Sequence, residues 1–252
     1  MRYRIIAIAL VATALLQSCG NGKRLTAIEA GNIAVTHIEK SDGAAEVRAI
    51  LARSRMAVDS IKAPVIGSAA TELAVYPPES PLMNFAADAL RSMAQRHSKA
   101  PIDIAITNKG GLRSNLSQGA ITYGDIYNVF PFENTLAMLT LNGEELMQLF
   151  KEIAKVNGEA ISGARLTITP DGDLLTATVN DKQIDPAKEY RIATSDYLAQ
   201  GNDKLYTLGK GRNKEIKSDV TIRDLMIQHI AELNSKSKAA NATIDGRISV
   251  KK

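Results

Sequence analysis

The sequence predicts a mixed α/β domain, with helices layered on mixed β-sheets. Three observations carry that reading. Apolar residues recur at helical spacing in four separate stretches, extended apolar runs lie between them, and two alternating runs flank Pro170-Asp171-Gly172 as in a hairpin. No internal repeat or low-complexity linker divides the chain, so one such domain accounts for most of its 252 residues.

The elements follow in order. From Ala44 the residues Val47, Ile50, Leu51, Ser54, Val58 and Ile61 fall on one helical face, and Pro64 ends the run. "PVIGSAATELAVY" reads as extended structure up to Pro77 and Pro78. Ser80 and Pro81 suit the start of a helix whose stripe is Leu82, Phe85, Ala86, Ala89, Leu90 and Met93. A buried strand from Ile102 to Ile106 enters the loop "TNKGGLRSNL", and "TYGDIYNVFPFENTL" gives a short helix or turn and then a strand to Leu141. Asn142-Gly143 reads as a turn before a helix with Leu146, Leu149, Phe150 and Ile153 on one face, closed by Asn157-Gly158. After the hairpin, "YRIATSDYLAQGND" is a strand entering a loop. The last helix opens at Thr221 and Asp224, with Ile222, Leu225, Met226, His229, Ile230 and Leu233 along it.

Ahead of this domain the sequence reads as targeting. "MRYR" is a short basic region and Ile5 to Leu16 an apolar one, too short for a comfortable membrane span. "LQSC" follows, and Cys19 is the only cysteine in the chain. The pattern resembles the lipobox of bacterial lipoproteins, which implies a signal peptide over 1–18, lipidation of Cys19, and an anchor and tether over 19–43. The domain then occupies 44–252. The expected location is extracytoplasmic and membrane-anchored, on the periplasmic side or the cell surface, and no disulfide is available.

Composition removes other function classes. The 31 basic residues exceed the 27 acidic by four, and two of the excess, Arg2 and Arg4, lie in the leader. That balance gives no concentrated basic face for nucleic acid. His37, His97 and His229 stand apart from one another, so no zinc or two-metal spacing exists, and His229 fits an apolar helix face. The chain also lacks a Gly-x-Ser-x-Gly elbow, a phosphate loop and a dinucleotide fingerprint. On residues alone it reads as a binder, with no catalytic residue, metal ligand or cofactor assigned to it.

Three loops form the candidate site. Asn108, Gly110, Gly111 and Arg113 follow a strand end; paired glycines bring backbone amides close, and arginine offers a planar fork or a stacking face. "FPFEN" crowds two of the four phenylalanines, with Phe130 and Phe132 expected to face differently and Asn134 beside them. In "SDYLAQGND", Tyr197 and Asp203 bracket a glycine loop. Aromatic faces from two loops, an arginine, amides and an aspartate suit a base plus ribose.

The ordered motifs "ESPLMNFAADAL", "NKGGLR", "PFEN", "ISGARLTI" and "YLAQGND" resemble the C-terminal domain of the 5′-nucleotidase family, over roughly Ala44 to Val250. The resemblance implies a domain that binds the nucleoside part of a substrate. It places Phe132 and Tyr197 as a base sandwich, Asp203 on the ribose, Asn108 and Arg113 (in the loop that holds Gly111) and Asn134 as polar contacts, and Gly163 as a backbone contact.

The departures from the family pattern shape the functional expectation. Family catalysis belongs to a separate metallophosphatase domain with Asp-x-His, Gly-Asn-His-Asp/Glu and Gly-His-x-His motifs, and none of these occurs here. Tyr76, Pro77 and Pro78 stand where many members carry arginines, and the usual Gly-Gly-Asp-Gly loop reads Gly201-Asn202-Asp203-Lys204. Two readings follow. The chain is the recognition component of a 5′-nucleotidase-type hydrolase in nucleotide catabolism, inactive alone and served by the divalent metals of a separate metallophosphatase subunit. Otherwise it is a stand-alone nucleoside- or nucleotide-binding lipoprotein, or a scaffold that kept only the fold.

Overall fold

The computed structural model describes residues 42–251. The chain divides into two units, 1–49 and 50–252. In the first, the described residues are the opening turns of helix α1 (Asp42–Lys62). The expected signal peptide (1–18), Cys19 and nearly all of the expected tether (19–43) lie outside the described residues.

Helix α1 contains no proline and stops just before Pro64, as the sequence reading requires. Its apolar side does not join a core: Ile50, Leu51, Val58 and Ile61 are all exposed. Strand β1 (Val65–Ala69) pairs antiparallel with β3 (Gly119–Thr122). The expected extended run beyond it is reduced to one bridge, Leu73 to Leu116, because the chain turns away at residues 70–72.

The centre is a five-stranded sheet of β2 (Ile104–Thr107), β4 (Thr135–Asn142), β5 (Ala160–Ser162), β9 (Glu189–Ser195) and β10 (Arg212–Thr221), in the order β10-β4-β9-β2-β5. Strands β2 and β9 run parallel; the other neighbours are antiparallel. Period-two alternation buries both faces. On β4, Leu136 and Met138 enter one core and Ala137, Leu139 and Leu141 the other. The first core is covered by α2 (Pro81–Ala94) and α5 (Ile222–Ser235), through Leu82, Phe85, Leu90 and Met93 and through Leu225, Met226 and Ile230. The second is covered by α4 (Gly143–Lys155), through Leu146, Leu149, Phe150 and Ile153, and by a smaller sheet. That sheet joins β11 (Ile248–Val250), β6 (Ala164–Ile168), β7 (Leu174–Val179) and β8 (Lys182–Gln183) in that order, and β6–β7 is the expected hairpin.

Capping fixes the helix starts. Ser80 accepts from the Met83 amide to open α2. The Asn142-Gly143 turn proves to be a cap: Asn142 accepts from the Glu145 amide at 2.9 Å while Glu145 accepts from the Asn142 amide at 2.8 Å. Thr122 and Asp125 do the same for α3 (Tyr123–Val129), and Thr221 accepts from the Asp224 amide to start α5. His229 lies partly buried against Phe85, with ring centroids 5.6 Å apart, and burial holds its pKa down.

Candidate binding site

Strand directions bring the predicted loops together. Because β2 and β9 are parallel, Asn108 and Tyr197 emerge at the same end of the sheet. Strand β4 runs against β9 with Leu136 opposite Ser195, so the "FPFEN" loop enters at that end too. Asp196 ties these two loops: its carboxylate accepts from the Thr135 amide at 3.0 Å, and its own amide donates to the Thr135 carbonyl.

The loops enclose an open cavity of about 280 Å³ lined by Asn108, Gly110, Phe132, Asn134, Tyr197 and Asp203. Thr107, Gly111, Phe130 and Ser195 line a smaller cleft that adjoins it at Asn108, Phe132 and Asn134. The two phenylalanines do face differently: Phe130 is 7% exposed and part of the core, whereas Phe132 is 48% exposed. Tyr197 is likewise exposed. At the polar end, Asn108 Nδ2 donates to Asp203 Oδ2 at 2.6 Å and the Tyr197 hydroxyl donates to Asp203 Oδ1 at 2.8 Å. That bond to the carboxylate holds the phenol's pKa up.

Gly111 is required by Asn108. A Cβ at position 111 would stand 2.7 Å from Asn108 Oδ1, displacing the side chain that reaches Asp203. Arg113 is exposed and does not line the cavity; it meets the rim by donating from its guanidinium to the Gly110 carbonyl at 3.2 Å.

Gly163 is not brought to this group. Strand β5 is antiparallel to β2 with Ser162 opposite Ala105 and Ala160 opposite Thr107, so Gly163 lies toward the start of β2, away from Asn108. It lines a separate charged cleft with Asp88, Arg91, Arg165, Asp245 and Arg247. Its φ of +85° favours glycine, and a Cβ would stand 2.2 Å from the Asp103 carbonyl oxygen.

Two supports escaped the sequence reading. Lys109 reaches away from the cavity to Glu159, 4% exposed, and to the carbonyls of Val156 and Gly158. Arg223, also buried, donates to the Phe130 carbonyl at 3.0 Å, bonds Glu133, and lies 4.0 Å from the Tyr127 ring centroid, so the "FPFEN" loop is fastened to α5 from below. Neither pairing leaves a local motif: 50 residues separate Lys109 from Glu159, and 93 separate Phe130 from Arg223.

This fold and loop constellation identify the class. The chain belongs to the family described as 5′-nucleotidase, C-terminal domain, whose sequence profile matches residues 61–210. A probable 5′-nucleotidase of Treponema pallidum is 30% identical over 166 residues, covering 59% of this chain and 28% of that protein. A cell wall protein of Listeria monocytogenes is 29% identical over 185 residues, covering 67% of this chain and 23% of that protein. Among solved structures, the 5′-nucleotidase precursor from Thermus thermophilus superposes with a TM-score of 0.70 at 25% identity, covering 81% of this chain and 42% of the other. The chain therefore spans less than a third of either relative's length and less than half of that solved chain.

Proposed function

We propose that this chain recognises the nucleoside part of a nucleotide, as the binding component of a 5′-nucleotidase-type hydrolase in nucleotide catabolism. The observation that carries the reading is one cavity lined by Phe132 and Tyr197 with Asn108, Asn134 and Asp203 at its polar edge. Two aromatic faces suit a base, which stacks regardless of sequence, and a carboxylate suits paired sugar hydroxyls. Arg113, at the rim beside Gly110, meets a phosphate at the open side once its weak bond to the Gly110 carbonyl is released.

Hydrolysis is assigned to a separate metallophosphatase subunit. Among the described residues no group of three or more His, Cys, Asp or Glu side chains is arranged to hold a metal ion, so no step of phosphate-ester cleavage is derived for this chain. Divalent metals belong to the partner. Cys19 carries the lipid anchor on the extracytoplasmic side, a placement in keeping with "LQSC" and with a cell wall relative. Palmitate labelling of wild type and its loss in Cys19→Ala check the anchor.

The decisive experiment isolates the chain from native membranes with its partners. The chain alone should bind adenosine and leave AMP intact; together with a captured metallophosphatase it should cleave AMP, and Arg113→Ala should lower that activity. Metal-dependent AMP hydrolysis by the pure chain overturns the division of labour. Adenosine binding with no partner captured favours a stand-alone nucleoside-binding lipoprotein.

A further inference from the structure

Below the cavity, Lys109 and Glu159 form a connection that the ligand-facing residues do not need for their own contacts. The Lys109 amide donates to Glu159 Oε2 at 2.5 Å. Its ammonium donates to Glu159 Oε1 at 3.1 Å, to the Val156 carbonyl at 2.8 Å and to the Gly158 carbonyl at 2.7 Å. One residue thus spends four bonds fastening the loop after β2 to the segment between α4 and β5. Its neighbour is Asn108, whose backbone opens the tight turn Lys109–Gly111 and whose side chain holds Asp203. Any rotation of the peptide joining residues 108 and 109 moves Asn108 relative to Asp203.

We infer that the Lys109–Glu159 pair is a positioning element for the nucleoside site, holding Asn108 on Asp203 so that affinity depends on the charge of Glu159. This rests on the nucleoside-binding reading. The pair is a poor device for stability alone. Burial pushes the Glu159 carboxyl above its usual range; Lys109 opposes that, and the Asp203 charge adds to it. A carboxyl whose pKa is raised on folding stabilises the fold most while protonated, and that contribution is lost as pH rises through the folded value. While ionised, Glu159 is therefore a cost relative to an uncharged isostere, whereas its lysine, 26% exposed, has a route to water.

The charged groups facing Glu159 are Lys109, from the loop after β2, and Asp203, from the loop after β9. Lowering pH through the raised Glu159 value discharges the carboxylate and frees Lys109. Binding then weakens.

The test is Glu159→Gln in the full chain purified in detergent, read by calorimetric titration with adenosine and by thermal melts across pH. The expected result is a melt at neutral pH equal to or above wild type, with affinity at least about tenfold lower, the equivalent of one charged hydrogen bond. Wild-type affinity should fall as pH drops through the raised Glu159 value, while the variant's stays level over the same titration. A lower melting temperature for Glu159→Gln assigns the pair to the fold and overturns the inference. So does wild-type affinity, or an unchanged pH profile, in the variant. If wild type binds no adenosine at all, the nucleoside reading fails first and takes this inference with it.

Discussion

Asn108 donates to Asp203 at 2.6 Å, and through that bond two loops 95 residues apart in sequence share one carboxylate. Tyr197 takes the other carboxylate oxygen, so an exposed ring is oriented by its hydroxyl rather than by packing. Aromatic face, acid and amide form one connected unit beyond the ends of two strands, β2 and β9.

The aromatic pair should separate binding from stability. Phe132→Ala and Tyr197→Ala should each weaken adenosine binding about five- to 150-fold, the worth of roughly 1–3 kcal/mol of stacking. Both residues are substantially exposed, so thermal melts should move little. A melt lowered by the several kcal/mol of a core phenylalanine would place Phe132 in the fold instead.

Asp203→Asn should blunt recognition of the sugar. Adenosine affinity should fall while that for 2′,3′-dideoxyadenosine stays nearly constant, narrowing the ratio between the two ligands. Tyr197→Phe keeps the ring but removes one of the two donors to Asp203, and should cost adenosine about two- to tenfold, the net worth of one hydrogen bond. Equal losses for both ligands in Asp203→Asn would remove the ribose from its role.

Lys204 should be better as glycine. Asp203 and Lys204 sit at φ of +54° and +65°, in the left-handed region. Aspartate tolerates this through its short polar side chain, whereas lysine carries a cost of about 1–2 kcal/mol that exceeds the chain entropy glycine adds. Denaturant titration of Lys204→Gly should register a gain of about 0.5–1 kcal/mol. A loss of that size would mean the lysine side chain contributes packing or charge that outweighs the strain.

The fastening under "FPFEN" should be asymmetric. Arg223→Ala leaves the Phe130 carbonyl without its donor and empties a buried volume, and should cost about 2–4 kcal/mol by chemical denaturation. Glu133→Ala touches the same guanidinium but from a side chain 74% exposed, and should cost under about 1 kcal/mol. Similar losses for the two would show the ion pair, not the carbonyl bond, to be the anchor.

Much of this was legible in the sequence where a face is buried. The stripes of α2, α4 and α5 are the faces that fill the cores, and Phe130, at the C-cap of α3, turns inward while Phe132, two residues on in the loop, faces out. Strand β10 was not legible, because "RNKEIKSDVT" is an edge strand exposed along most of its length and carries no alternation. Helix α1 shows the converse, with a clear apolar period whose residues are solvent-facing. Gly163 was misplaced for a topological reason: motif order does not reveal that β5 runs against β2. Lys109–Glu159 and Arg223–Phe130 were invisible because long-range pairing leaves no spacing to read.

The two cores flanking the central sheet have an evolutionary consequence. Residues inside β2, β4 and β9 are committed to packing on one side or the other, whereas Phe132, Tyr197 and Asp203 hang beyond the strand ends. Exchanging those three rewrites what is grasped without reopening either interior. A scaffold arranged in this way lets new ligand preferences drift in by single substitutions, each visible to selection on affinity and nearly silent in the folding equilibrium.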